Sequence, residues 1–287
     1  MPPLQRNGKL RAFVGVALMS LVVLACCQAW SQEDDPNRTG SETEVSRRDH
    51  FVFKVGGLYE QGDFGTPSTT QVLFVPMIFR YRGEKFDLSA TPSVGLIHSN
   101  GDVVLIDGTP TPTGSALPSQ TFGVGDTLIK ARLFLTDDGG WASPLPAITP
   151  FLKMKMPTGN PAKNLSTGST DYGFGFEFDK QIRSALLFGD VGYTFIGQAA
   201  GFELRRHRAD ASFGLGKKVS DTVTVSGSLD WRRSLVSQTP DPLEVFGVIS
   251  YRVMPTTTIS PNFFVGLTNG SSTFGAGIEF AFKFGRY

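Results

Sequence analysis

The sequence predicts an all-β fold, a transmembrane antiparallel β-barrel of about 12 strands that follows a cleaved signal peptide. Three observations carry this reading. Apolar and small or polar residues alternate with a period of two through most of the chain. Eight of the ten breaks between alternating segments are short and long in turn, the exceptions being 137–144 and 269–271, and the N-terminus has the layout of an export signal. Composition agrees: of 287 residues, 40% are hydrophobic and only 18% charged, with 33 Gly, 18 Pro and 24 Phe. So many Phe and β-branched residues supply ample apolar surface to bury, which argues against disorder. A formal net charge of +1 excludes a strongly basic nucleic-acid binder.

At the N-terminus, Arg6, Lys9 and Arg11 precede an uncharged apolar stretch from Ala12 to Cys27 and the small-residue pattern of Gln28-Ala29-Trp30-Ser31. The apolar run is shorter than the ~20 residues that span a bilayer as a helix, so residues 1–31 read as a signal peptide rather than a retained anchor. A lipoprotein signal at Val23-Leu24-Ala25-Cys26 is the alternative, weakened by bulky Leu24. Both cysteines, Cys26 and Cys27, lie in this piece, so the mature chain is expected to carry no disulfide. Losing three cations from 27 leaves 24 against 26 acids, a slightly acidic mature chain. Residues 32–49, rich in Glu, Asp and Arg with almost nothing apolar, cannot offset their ordering entropy and read as a flexible periplasmic tail.

Residues 50–287 are expected to form the barrel. Between Asp171 and Asp179, Tyr172, Phe174, Phe176 and Phe178 share one face, with Gly173, Gly175 and Glu177 on the other. Near the C-terminus Phe274, Ala276, Ile278, Phe280, Phe282 and Phe284 alternate with Gly275, Gly277, Glu279 and Lys283. A helix cannot sort these residues, because its period is 3.6. The same reading places strands near 51–60, 69–82, 84–98, 121–136, 145–157, 170–181, 184–198, 207–219, 221–234, 241–254, 256–268 and 272–287. An even count puts both chain ends on the periplasmic side. A soluble sandwich also alternates, but its outer face usually carries many Lys and Glu. Here the polar face is Gly, Ser and Thr with scattered charges of both signs, which suits a crowded wet lumen. Tyr59, Tyr81, Trp141, Tyr193, Trp231, Tyr251 and Tyr287 fall near strand ends, where an interfacial aromatic girdle belongs. Pro76, Pro92, Pro150 and Pro261 fall inside strands; they predict bulges or a weakened seam in the wall.

Chemistry is sparse. The three histidines, His50, His98 and His207, match no metal or phosphate motif, and no cofactor or metal site is expected. His98-Ser99-Asn100 has the residue types of a hydrolase, but neighbours on an extended chain point to opposite faces. His207 with Asp210 is a possible rim pair. The alternation aims Asp126, Lys130, Arg132, Lys153, Lys155, Asp171, Glu177, Asp179, Asp230, Arg232, Glu279 and Lys283 into the lumen, together with Lys54, Asp87, Asp190, Asp210, Glu244 and Arg252. With both signs present, bracing of the lumen is the first expectation and solute contact the second. In the longest loop, Val103, Val104, Leu105 and Ile106 are apolar where exposure would be costly. They are expected either to extend the neighbouring strands or to fold over the mouth as a lid.

Three motifs carry a family resemblance: Gly123-Val124-Gly125-Asp126, Lys155-Met156-Pro157-Thr158-Gly159-Asn160, and Ser166-Thr167-Gly168-Ser169-Thr170-Asp171, followed by the strand Val191-Gly192-Tyr193-Thr194-Phe195. In this order they resemble the outer-membrane family named for the meta-pathway of phenol degradation. The resemblance spans roughly Phe51 to Tyr287 and is strongest from Gly123 to Gly197. It implies an outer-membrane barrel of a Gram-negative bacterium that takes up aromatic or other hydrophobic compounds, with membrane lipid and the barrel-assembly machinery as partners. It brings no catalytic residue. The resulting expectation is a passive conduit for small hydrophobic solutes. A structural or adhesive barrel with a plugged lumen is the alternative, and an outer-membrane hydrolase a third reading.

Overall fold

A computed structural model describes residues 50–99, 103–106, 109–112, 120–136, 144–198 and 203–285. The expected signal segment, the tail, Trp141 and Tyr287 lie outside the described residues.

In chain order the strands are β1 (His50–Gly62), β2 (Thr70–Arg82), β3 (Phe86–Thr91), β4 (Ser93–His98), β5 (Val103–Ile106), β6 (Thr109–Pro112), β7 (Gln120–Val124), β8 (Thr127–Leu133), β9 (Ala147–Met156), β10 (Asp171–Ile182), β11 (Ala185–Phe195), β12 (His207–Lys218), β13 (Val223–Arg232), β14 (Leu243–Met254), β15 (Thr257–Gly266) and β16 (Phe274–Phe284). All but β5 and β6 belong to one antiparallel sheet. Pairing of β1 with both β16 and β2 closes it on itself. β3 with β4 and β7 with β8 are halves of single wall strands, so the barrel has 12 strands. Closure satisfies the backbone groups that a sheet edge would strand in hydrocarbon.

Side chains sort as the alternation requires. Phe51, Phe79, Leu88, Leu152, Phe174, Phe176, Val191, Phe213, Leu215, Leu229, Ile249, Phe263 and Phe284 are all exposed on the outer face. Their inward neighbours, such as Lys54, Asp87, Glu177, Asp190, Asp230 and Glu279, are buried. A water-soluble protein does not leave an apolar band of this extent uncovered; hydrocarbon removes the cost. Wall strands of 10–13 residues suit a tilted crossing of a bilayer. Turns such as Arg183–Ser184, where Arg183 takes φ 53°, close the rim on the side of the chain ends. Most of the longer connections leave the opposite, extracellular rim, although the one from β8 to β9 lies on the chain-end side.

The prolines interrupt the ladders rather than the alternation. Pro92 separates β3 from β4, and Pro76 stands opposite Ser93 on the neighbouring strand. Beside them the β1–β2 ladder passes from Val55↔Met77 to Leu58↔Phe74 with no registered pair between. Near Pro261 the β14–β15 ladder likewise skips from Val248↔Asn262 to Tyr251↔Ile259. Pro150 lies one residue past the last registered β8–β9 pair. A ring nitrogen donates no hydrogen bond, so the ladder lapses where it would be needed.

At Gly125-Asp126 the facing parity changes. Phe122 and Val124 are exposed above the break, Ala131 and Leu133 below it, so the wall strand carries an extra residue there, as a bulge does. Above the bulge β7 pairs only with β4. Its other side is covered by the connection after β9, where Lys163 Nζ donates to the Phe122 carbonyl at 3.0 Å.

Candidate functional site: the barrel interior and its hairpin

The segment Val103–Ile106 does not extend the wall. It pairs with Thr109–Pro112 as a separate two-stranded ribbon, and all four of its side chains are buried. Leu105 belongs to one apolar cluster with Leu58, Val72, Phe74, Ile97, Leu165, Phe246 and Phe264, residues of β1, β2, β4, β14, β15 and the connection after β9. Val104 and Ile106 join Ile196 and Leu235 in a second. The ribbon therefore sits within the extracellular half of the barrel as a plug. Four apolar side chains drive it there, each contributing about 1.5–3 kcal/mol when removed from water.

The ribbon is tied at named points. Its Leu105 N–H donates to the Asn164 carbonyl at 2.9 Å, and the Thr109 hydroxyl accepts from Arg232 Nη1 at 3.3 Å. Asn164 and Leu165 follow a single 3-10 turn, Pro161–Lys163, whose entry Asn160 caps through the Ala162 N–H. Lys155 anchors this connection: wholly buried, its Nζ lies 2.8 Å from Asp171 and 3.5 Å from Asp126, and donates to the Thr167 hydroxyl at 2.8 Å. Asp126 in turn accepts from the Gly159 N–H and Asp171 from the Gly197 N–H. The three motif stretches thus meet around one ammonium, with the glycines placed where a side chain would not fit. A Cβ on Gly159 would stand 2.7 Å from the Leu165 carbonyl oxygen, and one on Gly125 2.6 Å from Ser93 Oγ.

Toward the periplasmic half the interior turns ionic. Asp87, fully buried, bridges Arg80 and Arg132, the latter at 2.8 Å. Arg132 continues to Glu177 at 3.0 Å, which also takes Lys130 at 2.5 Å. Lys130 lies 4.1 Å over the Phe151 ring, a cation–π contact inside the wall. Lys54 pairs with Glu279 on β1 and β16, while Lys153–Asp210 and Arg232–Glu244 lie nearer the extracellular ends of their strands. Register makes Glu177, Asp190, Ser212, Asp230 and Glu244 successive level neighbours across β10 to β14, with Ser212 donating to Asp190. Pairing neutralises most of this charge; one partner removed alone leaves a desolvated ion.

Among the residues expected to line the lumen, Asp126, Lys130, Arg132, Lys153, Lys155, Asp171, Glu177, Arg232 and Glu279 enter these pairs. Asp230 is buried on the same face, while Asp179 and Lys283 are half-buried near the periplasmic ends of β10 and β16. Sequence reasoning missed Arg80, Glu60 and Arg208, all buried. Their inward parity was available, but β2 carries apolar residues on both faces, which hid Arg80. The His207–Asp210 rim pair does not form. His207 is exposed and stacks at 5.7 Å on Tyr193, whereas Asp210 points inward to Lys153. Three residues apart on a strand they occupy opposite faces. His98 is likewise exposed at the end of β4, with Ser99 buried behind it.

No family model and no curated protein matches the chain. Solved structures do. The COG4313 outer membrane channel from Pseudomonas putida F1 superposes with a TM-score of 0.60 over 88% of this chain and 100% of that one, at 13% identity. The translocator domain of the autotransporter NalP from Neisseria meningitidis gives 0.51 over 86% and 91%, at 9% identity. The NanC porin gives 0.50 over 81% and 100%, at 13% identity. Together with the apolar outer band and the closed sheet, these likenesses establish the fold as that of the outer-membrane β-barrels.

Proposed function

We propose that the protein is an outer-membrane channel for passive entry of small hydrophobic or aromatic solutes, belonging with the phenol meta-pathway family that its motifs resemble. The observation that carries this reading is the apolar ribbon seated on an apolar wall. Here withdrawal of Val103–Ile106 uncovers Leu58, Val72, Phe74, Ile97, Phe246 and Phe264, a lining matched to an apolar solute. The COG4313 structure, a channel of the same fold, supports the reading. Membrane lipid and the solute are its partners in this reading. The test is flux into liposomes reconstituted with the purified chain, comparing toluene-like aromatics with sugars of similar size. Faster entry of the aromatics, raised further when residues 102–113 are replaced by a short Gly-Ser link, is expected; equal entry of both solutes refutes it.

A second reading, a structural barrel with a permanently sealed interior, is favoured by the ion pairs spanning β2, β3, β8 and β10. It requires no flux of either solute with or without the ribbon.

A further inference from the structure

We propose that the extracellular ends of β12 and β13 form a docking surface for the phosphate groups of the outer-leaflet glycolipid, lipid A. Four basic residues gather there: Arg205, Arg206, His207 and Arg233. The chain brings them together through two backbone bonds, Arg233 N–H to the Ala209 carbonyl at 2.8 Å and Arg205 N–H to the Leu235 carbonyl at 2.7 Å. The Arg205 guanidinium is turned onto the β13 side by its own bond to the Ser237 carbonyl at 3.4 Å.

Two features separate this patch from the other cations of the molecule. First, the lumen cations Lys54, Arg80, Lys130, Arg132, Lys153, Lys155 and Arg232 all have carboxylate partners, whereas Arg206 and Arg233 are exposed and pair with no carboxylate among the described residues. In this corner Glu203 is exposed on the same connection, and Asp241 is engaged by the Ser234 N–H. Second, the patch lies where the lipid-facing band ends. His207 and Arg233 continue the outward parity of β12 and β13; His207 stands level with Phe195 and one step beyond Tyr193, and Arg233 one step beyond Trp231. His207 stacks on Tyr193 at 5.7 Å and meets Phe195 edge-on at 5.4 Å, which fixes its ring against the aromatic belt. Aromatic side chains of this kind settle at headgroup level. Unpaired guanidiniums immediately above them therefore stand at the depth of the lipid phosphates, and their planar forks match phosphate oxygens in two-point contacts. On the same strand, Lys217 is the outward cation at the periplasmic end.

The full mature chain, folded in detergent micelles, is titrated with bisphosphorylated lipid A and with the same lipid after removal of its phosphates. Bound lipid is counted by native mass spectrometry. The wild type is expected to prefer the phosphorylated lipid. Substituting Arg206→Gln together with Arg233→Gln is expected to weaken its binding roughly 30-fold at low salt, taking each cation near an anionic headgroup as about fivefold. Lys217→Gln leaves binding unchanged. Equal binding of the two lipids, or equal binding by wild type and the double variant, overturns the proposal. So does displacement of lipid A by inorganic phosphate at matching concentration, which would identify a free anion as the occupant. Should the double variant fail to give the heat-modifiable gel migration of a folded barrel, Arg233→Glu alone provides the same comparison.

Discussion

Leu105→Ala tests whether the internal ribbon is a removable element. Leu105 is 2% exposed and sits in the cluster formed by Phe74, Leu165, Phe246 and Phe264. Truncating a buried Leu to Ala typically costs 2–5 kcal/mol. The ribbon shares no ladder with the wall strands, so the loss is expected to fall on the seating equilibrium rather than on the barrel. Taking about 2–3 kcal/mol, the unseated fraction rises roughly 30- to 150-fold, since 1.36 kcal/mol is a factor of ten. The bond from Leu105 N–H to the Asn164 carbonyl remains in the variant, so the change reports on apolar seating alone. Single-channel recording in planar bilayers reads this directly as time spent in the conducting state. Thermal unfolding in detergent should shift far less than a core truncation of that size would demand. An unchanged open fraction, with the full 2–5 kcal/mol appearing as lost barrel stability, refutes the argument.

Three further outcomes follow from the interior and the wall. Asp87→Asn leaves Arg80 and Arg132 without their shared carboxylate and should cost about 3–5 kcal/mol in urea-driven unfolding from vesicles; Asp87→Glu should recover part of it. Gly175→Ala drives a Cβ against the Val191 carbonyl oxygen and to 2.5 Å from the Phe151 ring, so assembly, followed by heat-modifiable migration, should slow or fail, while Ala at roomier Gly216 is tolerated. Phe213→Arg, mid-strand on the outer face, should destabilise insertion by about 2–4 kcal/mol, and the same change nearer a strand end should cost less.

Strands such as β10 and β16 could be read from sequence because aromatic or aliphatic residues alternate there with Gly or charged ones over most of their length, the period that a lipid-facing wall strand requires. Boundaries followed within a few residues. β2 was harder to read. Val72, Phe74 and Ile78 face inward yet are as apolar as their outward neighbours, because they meet the ribbon and its cluster rather than water. That same blurring concealed Arg80. The bulge at Gly125-Asp126 looked like uninterrupted strand, since a single inserted residue changes parity without changing composition. Where the 103–106 segment folds was beyond reach of any local pattern. Its seat is built by Phe246 and Phe264, which only closure of the barrel brings alongside. Charge pairing was partly legible: parity put Lys155, Asp126 and Asp171 on one face, but their convergence on a single ammonium depends on strands β8, β9 and β10 lying in register.

The ribbon hangs by its backbone from Asn164, and Asn164 directly follows an outward turn, Pro161–Lys163, whose three residues are all exposed on the cell surface side. Inside and outside are thus linked by a handle a few atoms long. Under the proposed function, a large molecule gripping that turn from outside, such as an antibody fragment, would pull on the ribbon without entering the bore.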